Sequence, residues 1–128
     1  MGFLDRFRAA ALRREPGPGT VRGRHFTEWV ETVKDLRRRD DEEAAEELLL
    51  ALIDATEAED QVEGMGVAPW YYEQLAISYR KRGWPDKEVA ILKRYAAQKH
   101  APGVKPPKLL QRLERAQRRL PEQSPGSA

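Results

Sequence analysis

Residues 67–100 read VAPWYYEQLAISYRKRGWPDKEVAILKRYAAQKH, and the order of apolar side chains in this stretch decides the fold. Tyr72, Leu75, Ala76 and Tyr79 recur at i, i+3, i+4 and i+7, the spacing of one face of a 3.6-residue helix. Val89, Leu92, Tyr95 and Ala96, at i, i+3, i+6 and i+7, mark another helical face after the break Arg82-Gly83-Trp84-Pro85. Gly83 suits the residue just past a helix, while Pro69 and Pro85 suit first turns, where a missing N–H costs nothing. Two short amphipathic helices joined by a tight turn can hide their stripes only against each other and a neighbour. The stretch therefore predicts an αα-hairpin.

The same pattern lies upstream. Between His25 and Arg38 the apolar positions are Phe26, Trp29, Val30, Val33 and Leu36. Asp40, three residues before Glu43, reads as a capping pair for the next helix, with Asp41 and Glu42 at the positive end of its dipole. That helix turns Ala45, Leu48, Leu49, Leu52, Ile53 and Thr56 inward and Glu46, Glu47, Asp54, Glu57 and Glu59 outward. A first hairpin is thus expected over about 25–59, with Asp60 to Gly66 as a loop. Downstream, APGVKPPK is a breaker. Lys108 to Leu120 then places Leu109, Leu110, Leu113, Ala116 and Leu120 on one side and Arg112, Arg115, Arg118 and Arg119 on the other. A helix with one apolar face can cap an exposed core. The expected fold is all-α: two antiparallel helix–turn–helix hairpins with a C-terminal capping helix, spanning 25–120.

The ends read differently. In residues 1–14, Phe3, Leu4, Phe7 and Ala11 form a stripe among Arg6, Arg8, Arg13 and Arg14, predicting an amphipathic helix able to lie on an anionic membrane. Alternating Pro and Gly make residues 15–24 a flexible linker that tethers this helix, and residues 121–128 a disordered tail. At 128 residues, the chain has room for one core. It has no cysteine, hence no disulfide and no thiolate chemistry, and no apolar run long enough to span a membrane; a cytoplasmic setting fits. The net charge of +2 hides a division: residues 1–24 carry +4, residues 25–66 carry −10 and residues 67–128 carry +8. An acidic segment and a basic one can dock on each other or on a second copy, so a homodimer fits too.

The two hairpins align with a spacing of 43 residues: Trp29 with Tyr72, Val33 with Ala76, Leu36 with Tyr79 and Leu49 with Leu92. The pattern resembles the tetratricopeptide repeat, whose unit is a helix–turn–helix of alternating large and small positions. It departs from that family at Thr32, where a leucine is usual, and at Glu88, which stands where the family keeps a small alanine; the closing proline is displaced to Pro102. The chain is thus similar to a degenerate pair of such repeats with a solvating end helix. The run WYYEQLAISYRKRG with EVAILKRY also resembles a segment of short bacterial proteins.

Catalytic chemistry finds little support. His25 and His100 have no acidic partner at a metal-ligand spacing, Ser78 has no base nearby in sequence, and the many acids form an ordinary solvated face. No cofactor or metal is expected, and the chain reads as a non-enzyme. The family resemblance implies a groove lined by the first helix of each hairpin: Val30, Lys34, Arg37 and Arg38 from one, and Trp70, Glu73, Ile77, Arg80 and Lys81 from the other. Such a groove suits a peptide or partner helix that carries acids and one apolar anchor. The chain contains no Asn, so the family's asparagine clamp for a peptide carboxylate is absent. Two alternatives are a nucleic-acid accessory role for the basic half, which the acidic half opposes, and peripheral membrane recruitment through Phe3, Leu4 and Phe7.

Overall fold

A computed structural model describes residues 17–103 and 105–120. The expected N-terminal helix and C-terminal tail lie outside these residues. Within them the chain is all-α apart from one short ribbon, and it divides into two compact units between Gly64 and Met65.

The first unit starts where a flexible linker was expected. Thr20–Val21 (β1) and Arg24–His25 (β2) instead pair antiparallel, Thr20 opposite His25 and Val21 opposite Arg24. Arg22 and Gly23 both take positive φ, the geometry of a two-residue turn that matches strand twist. Val21 is buried and β1 packs on the long helix of this unit, so hydrophobic burial outweighs the turn-forming composition. A short 3₁₀ turn, Phe26–Trp29, follows under a capping box of His25 and Glu28, and leads into α1, Val30–Arg38.

The turn out of α1 corrects one expectation. The Asp40 N–H donates to the Arg37 carbonyl and the Asp41 N–H to the Leu36 carbonyl, with Asp40 in the left-handed region at φ 56°. Asp40 therefore closes α1 as a Schellman turn, and Asp41 caps the next helix by accepting from the Ala44 N–H. That helix, α2, runs Glu42–Glu63 and absorbs part of the expected loop, ending at Gly64. Its expected inward positions Ala45, Leu48, Leu49, Leu52, Ile53 and Thr56 are all buried.

The second unit holds α3 (Pro69–Lys81), α4 (Pro85–Ala96) and α5 (Lys105–Arg119). Each packs on the other two. Tyr72, Leu75, Ala76 and Tyr79 are buried on α3, and Val89, Leu92 and Tyr95 on α4; Ala96 is exposed. The turn between them repeats the first unit's: Gly83 N–H donates to the Arg80 carbonyl and Trp84 N–H to the Tyr79 carbonyl. Gly83 has φ 75°, a region that a side chain would strain. Helix α5 begins three residues earlier than expected, taking Pro106 and Pro107 into its first turn. Leu109 and Ala116 are its buried contacts, while Leu110, expected inward, is exposed.

One backbone crossing closes this unit. Val67 and His100 form a parallel bridge, with the Val67 N–H donating to the Lys99 carbonyl, so the chain enters and leaves the hairpin side by side. Gly66 sits at φ 95°, and a β-carbon there would meet the Ala101 nitrogen at 2.5 Å. Replacing Gly66 with Ala should therefore cost more than about 1 kcal/mol in urea unfolding. Leu49→Ala and Leu92→Ala, each emptying a fully buried site, should cost roughly 2–5 kcal/mol.

Burial pushes the Tyr71 phenol up to about 12 and raises that of Tyr95 in the same direction. Below pH 10 folded and unfolded chains both keep the Tyr71 proton. Between pH 10 and about 12 only the unfolded chain releases it, so stability falls as pH rises through that window. Unfolding midpoints on either side of pH 10 should show Tyr71→Phe losing less stability than the parent.

Candidate functional site

The side chains assigned to a groove fall in both units, and each unit is considered by itself. On α1, Lys34 and Arg38 are exposed while Val30 and Arg37 are half-buried. Lys34 reaches Glu31 at 3.5 Å, an exposed pair one turn away that contributes little. On α3, Arg80 and Lys81 are exposed at the last turn, and Trp70 and Ile77 are half-buried. The Trp70 ring meets Tyr71 edge-on at 5.4 Å. Glu73 is already engaged: the Lys105 ammonium of α5 donates to its Oε1 at 2.5 Å. The α3 set thus separates into an outward cationic end and an acid consumed inside the unit.

A second acid of this unit is consumed more completely, and the sequence did not reveal how. Glu88 is 2% exposed, on the inward side of α4. Arg119 of α5 donates to both of its oxygens at 3.4 Å, and Arg112 Nε stands 3.5 Å from Oε2. The Arg112 nitrogen makes no hydrogen bond, so its contact with Glu88 is electrostatic. Burial lowers the Arg112 pKa from its ordinary value; Arg80 and Arg119 push the same way, and Glu88 and Glu73 oppose them. A carboxylate taken out of water needs such company, since an unpaired buried charge is expensive. The usable signal was the spacing Arg112–Arg119, one heptad apart on a helix whose apolar stripe is thin.

The histidines have structural work. His25 Nε2 bonds Glu59 at 2.7 Å and its Nδ1 faces Thr27, which ties the ribbon to α2. His100 Nε2 donates to the Tyr95 carbonyl at 2.8 Å, and the two rings stack at 4.3 Å. Sequence distance hid the Glu59 partner. Among the described residues no group of three or more His, Cys, Asp or Glu is placed to hold a metal, and no helix is long and apolar enough to cross a membrane. A shallow recess beside the Val67 bridge is lined by Pro69, Ala101, Pro102, Lys105 and Pro106. Its one charged group, Lys105, is the partner of Glu73, which leaves little to orient a substrate there.

Comparison with protein-family models, curated proteins and solved structures gave no match to this chain.

The Glu88 cluster makes a checkable statement about α5. Glu88→Ala should cost about 3 kcal/mol in urea unfolding, the low end for breaking a buried pair, because Arg119 is more than a third exposed and water screens it. Arg115→Ala, on the exposed side of the same helix, should stay within about 0.5 kcal/mol of the parent.

Proposed function

We propose that this chain is a non-catalytic binding protein, a degenerate pair of tetratricopeptide-like hairpins that docks an acidic peptide or helix on exposed cations of its second unit. The carrying observation is how the second unit spends its acids. Glu73 and Glu88 pair with Lys105, Arg112 and Arg119, while Arg80, Lys93, Lys108, Arg115 and Arg118 are exposed, and among the described residues Asp86 and Glu114 are the exposed acids of this unit. An outward face of one sign steers partners of the other.

The repeat reading draws support from backbone geometry. Asp40 and Gly83, 43 residues apart, both occupy the left-handed position of a Schellman turn, and Asp41 and Trp84 both stand at the start of the next helix. The buried pairs keep that interval: Trp29 and Tyr72, Val33 and Ala76, Leu48 and Ile91, Leu49 and Leu92, Leu52 and Tyr95. Glu88 answers Ala45, and α5 then serves as the solvating helix whose arginines neutralise it. A protein partner is favoured over nucleic acid because α2 keeps Glu43, Glu47 and Asp54 exposed, and these repel a polyanion.

A labelled peptide of Glu and Asp with one Phe provides the test. Arg80→Glu combined with Arg115→Glu, both exposed in the second unit, should weaken its binding about ten-fold or more, with the far-ultraviolet dichroism unchanged. Unaltered affinity in that double variant, or no affinity in the parent at low salt, removes the proposal.

A further inference from the structure

Resting on the preceding proposal for the class of ligand, we propose that Arg80 of α3 and Arg112 of α5 form the socket that holds one carboxylate of the docked acidic peptide. Arg112 was not among the groove residues that the sequence suggested.

The cluster around Arg112 is short of negative charge. Two acids, Glu88 and Glu73, and two cations, Arg80 and Arg119, act on this guanidinium. Glu73 already accepts from Lys105 at 2.5 Å, and Arg119 shares Glu88, donating to it at 3.4 Å. Arg80 makes no ion pair or side-chain hydrogen bond among the described residues. Three guanidiniums therefore have Glu88 alone as a counter-charge. Burial does most to lower the Arg112 pKa, and of the two opposing cations Arg80 pushes harder than Arg119. A lysine so placed could shed its proton, but an arginine keeps its charge. A carboxylate from a partner relieves the repulsion between Arg80 and Arg112.

The donors for that carboxylate are present and unused. Arg112 approaches Glu88 through Nε at 3.5 Å without a hydrogen bond, and this nitrogen finds no other acceptor. The side chain is still 22% exposed, so a ligand can reach it. Helix α5 is held in register by Lys105 on Glu73 and Arg119 on Glu88, which fixes Arg112 before a ligand arrives. Arg80 lies in the exposed last turn of α3, with half-buried Ile77 one turn earlier on the same face. Planar guanidinium forks match a carboxylate, and Ile77 offers apolar surface beside it. A phosphate dianion fits less well, because Glu88 stands 3.5 Å from Arg112 and would repel it about twice as strongly as a carboxylate. The dipole of α3 does not account for Arg80, since a lysine there would serve the helix end equally.

The test uses the full chain and the fluorescein-labelled Glu/Asp peptide with one Phe, read by anisotropy. Arg80→Lys keeps the charge and removes the fork, and should weaken binding about five-fold or more. Lys93→Gln removes an exposed cation that does not act on Arg112, and affinity should stay within about two-fold of the parent. Arg112→Lys bears on the same carboxylate, so its loss combined with that of Arg80→Lys should be less than additive. Inorganic phosphate should displace the peptide no better than chloride at equal ionic strength. Arg80→Lys within about two-fold of the parent, or no weaker than Lys93→Gln, overturns the socket even where Arg80→Glu with Arg115→Glu abolishes binding. Additive losses, or phosphate displacing the peptide better than chloride, also overturn it. Where Arg112→Lys lowers the urea midpoint, Arg80→Lys alone decides. No peptide binding by the parent at low salt overturns this inference and the broader proposal together.

Discussion

A buried carboxylate sets the terms for the second half of this protein. Glu88 faces inward from α4, 2% exposed among apolar side chains. A glutamate there cannot keep its hydration, and only cations brought from elsewhere make it tolerable. Arg112 and Arg119 come from α5, so the last helix is bound to the hairpin by charge as much as by Leu109 and Ala116. Lys105, reaching Glu73 at the other end, completes the attachment. An α5 held mainly by apolar contact would tolerate sliding; one held at three ion pairs has a fixed register.

Glu73 and Glu88 take Lys105, Arg112 and Arg119 with them, and the outward charge of α3 to α5 comes from the further cations that this basic stretch of sequence places at the surface. The Trp84 turn concentrates this effect, because Arg82 and Lys87 are held against the indole rather than spread into solvent. Cation–aromatic stacking of this kind orders long side chains that would otherwise be mobile.

The helical stripes were legible because their spacing reflects only the backbone period: Tyr72, Leu75, Ala76 and Tyr79 read as one face and are one face. Residues whose role depends on a remote partner were not. Asp40 looks like an N-cap by type, yet the hydrogen bonds at its own amide and at Asp41 make it the left-handed end of α1. The ribbon at 20–25 hides in a stretch rich in glycine because its stability comes from Val21 against α2 and from His25 bonded to Glu59, thirty-four positions away. Leu110 follows Leu109 in the sequence, one position and about 100° round the helix, yet only Leu109 is buried.

Periodicity and the sorting of charge by segment were enough to determine a mostly helical chain with an acidic part and a basic part, since the period of an apolar stripe and the sum of charges are properties of the local sequence. The pairing of Glu88 with two arginines, of Glu73 with Lys105, and of Trp84 with its flanking cations was decided only in three dimensions. Those contacts depend on the direction in which α5 crosses the hairpin and on the shape of one turn, and electrostatic partners separated by some thirty residues leave no periodic trace along the chain.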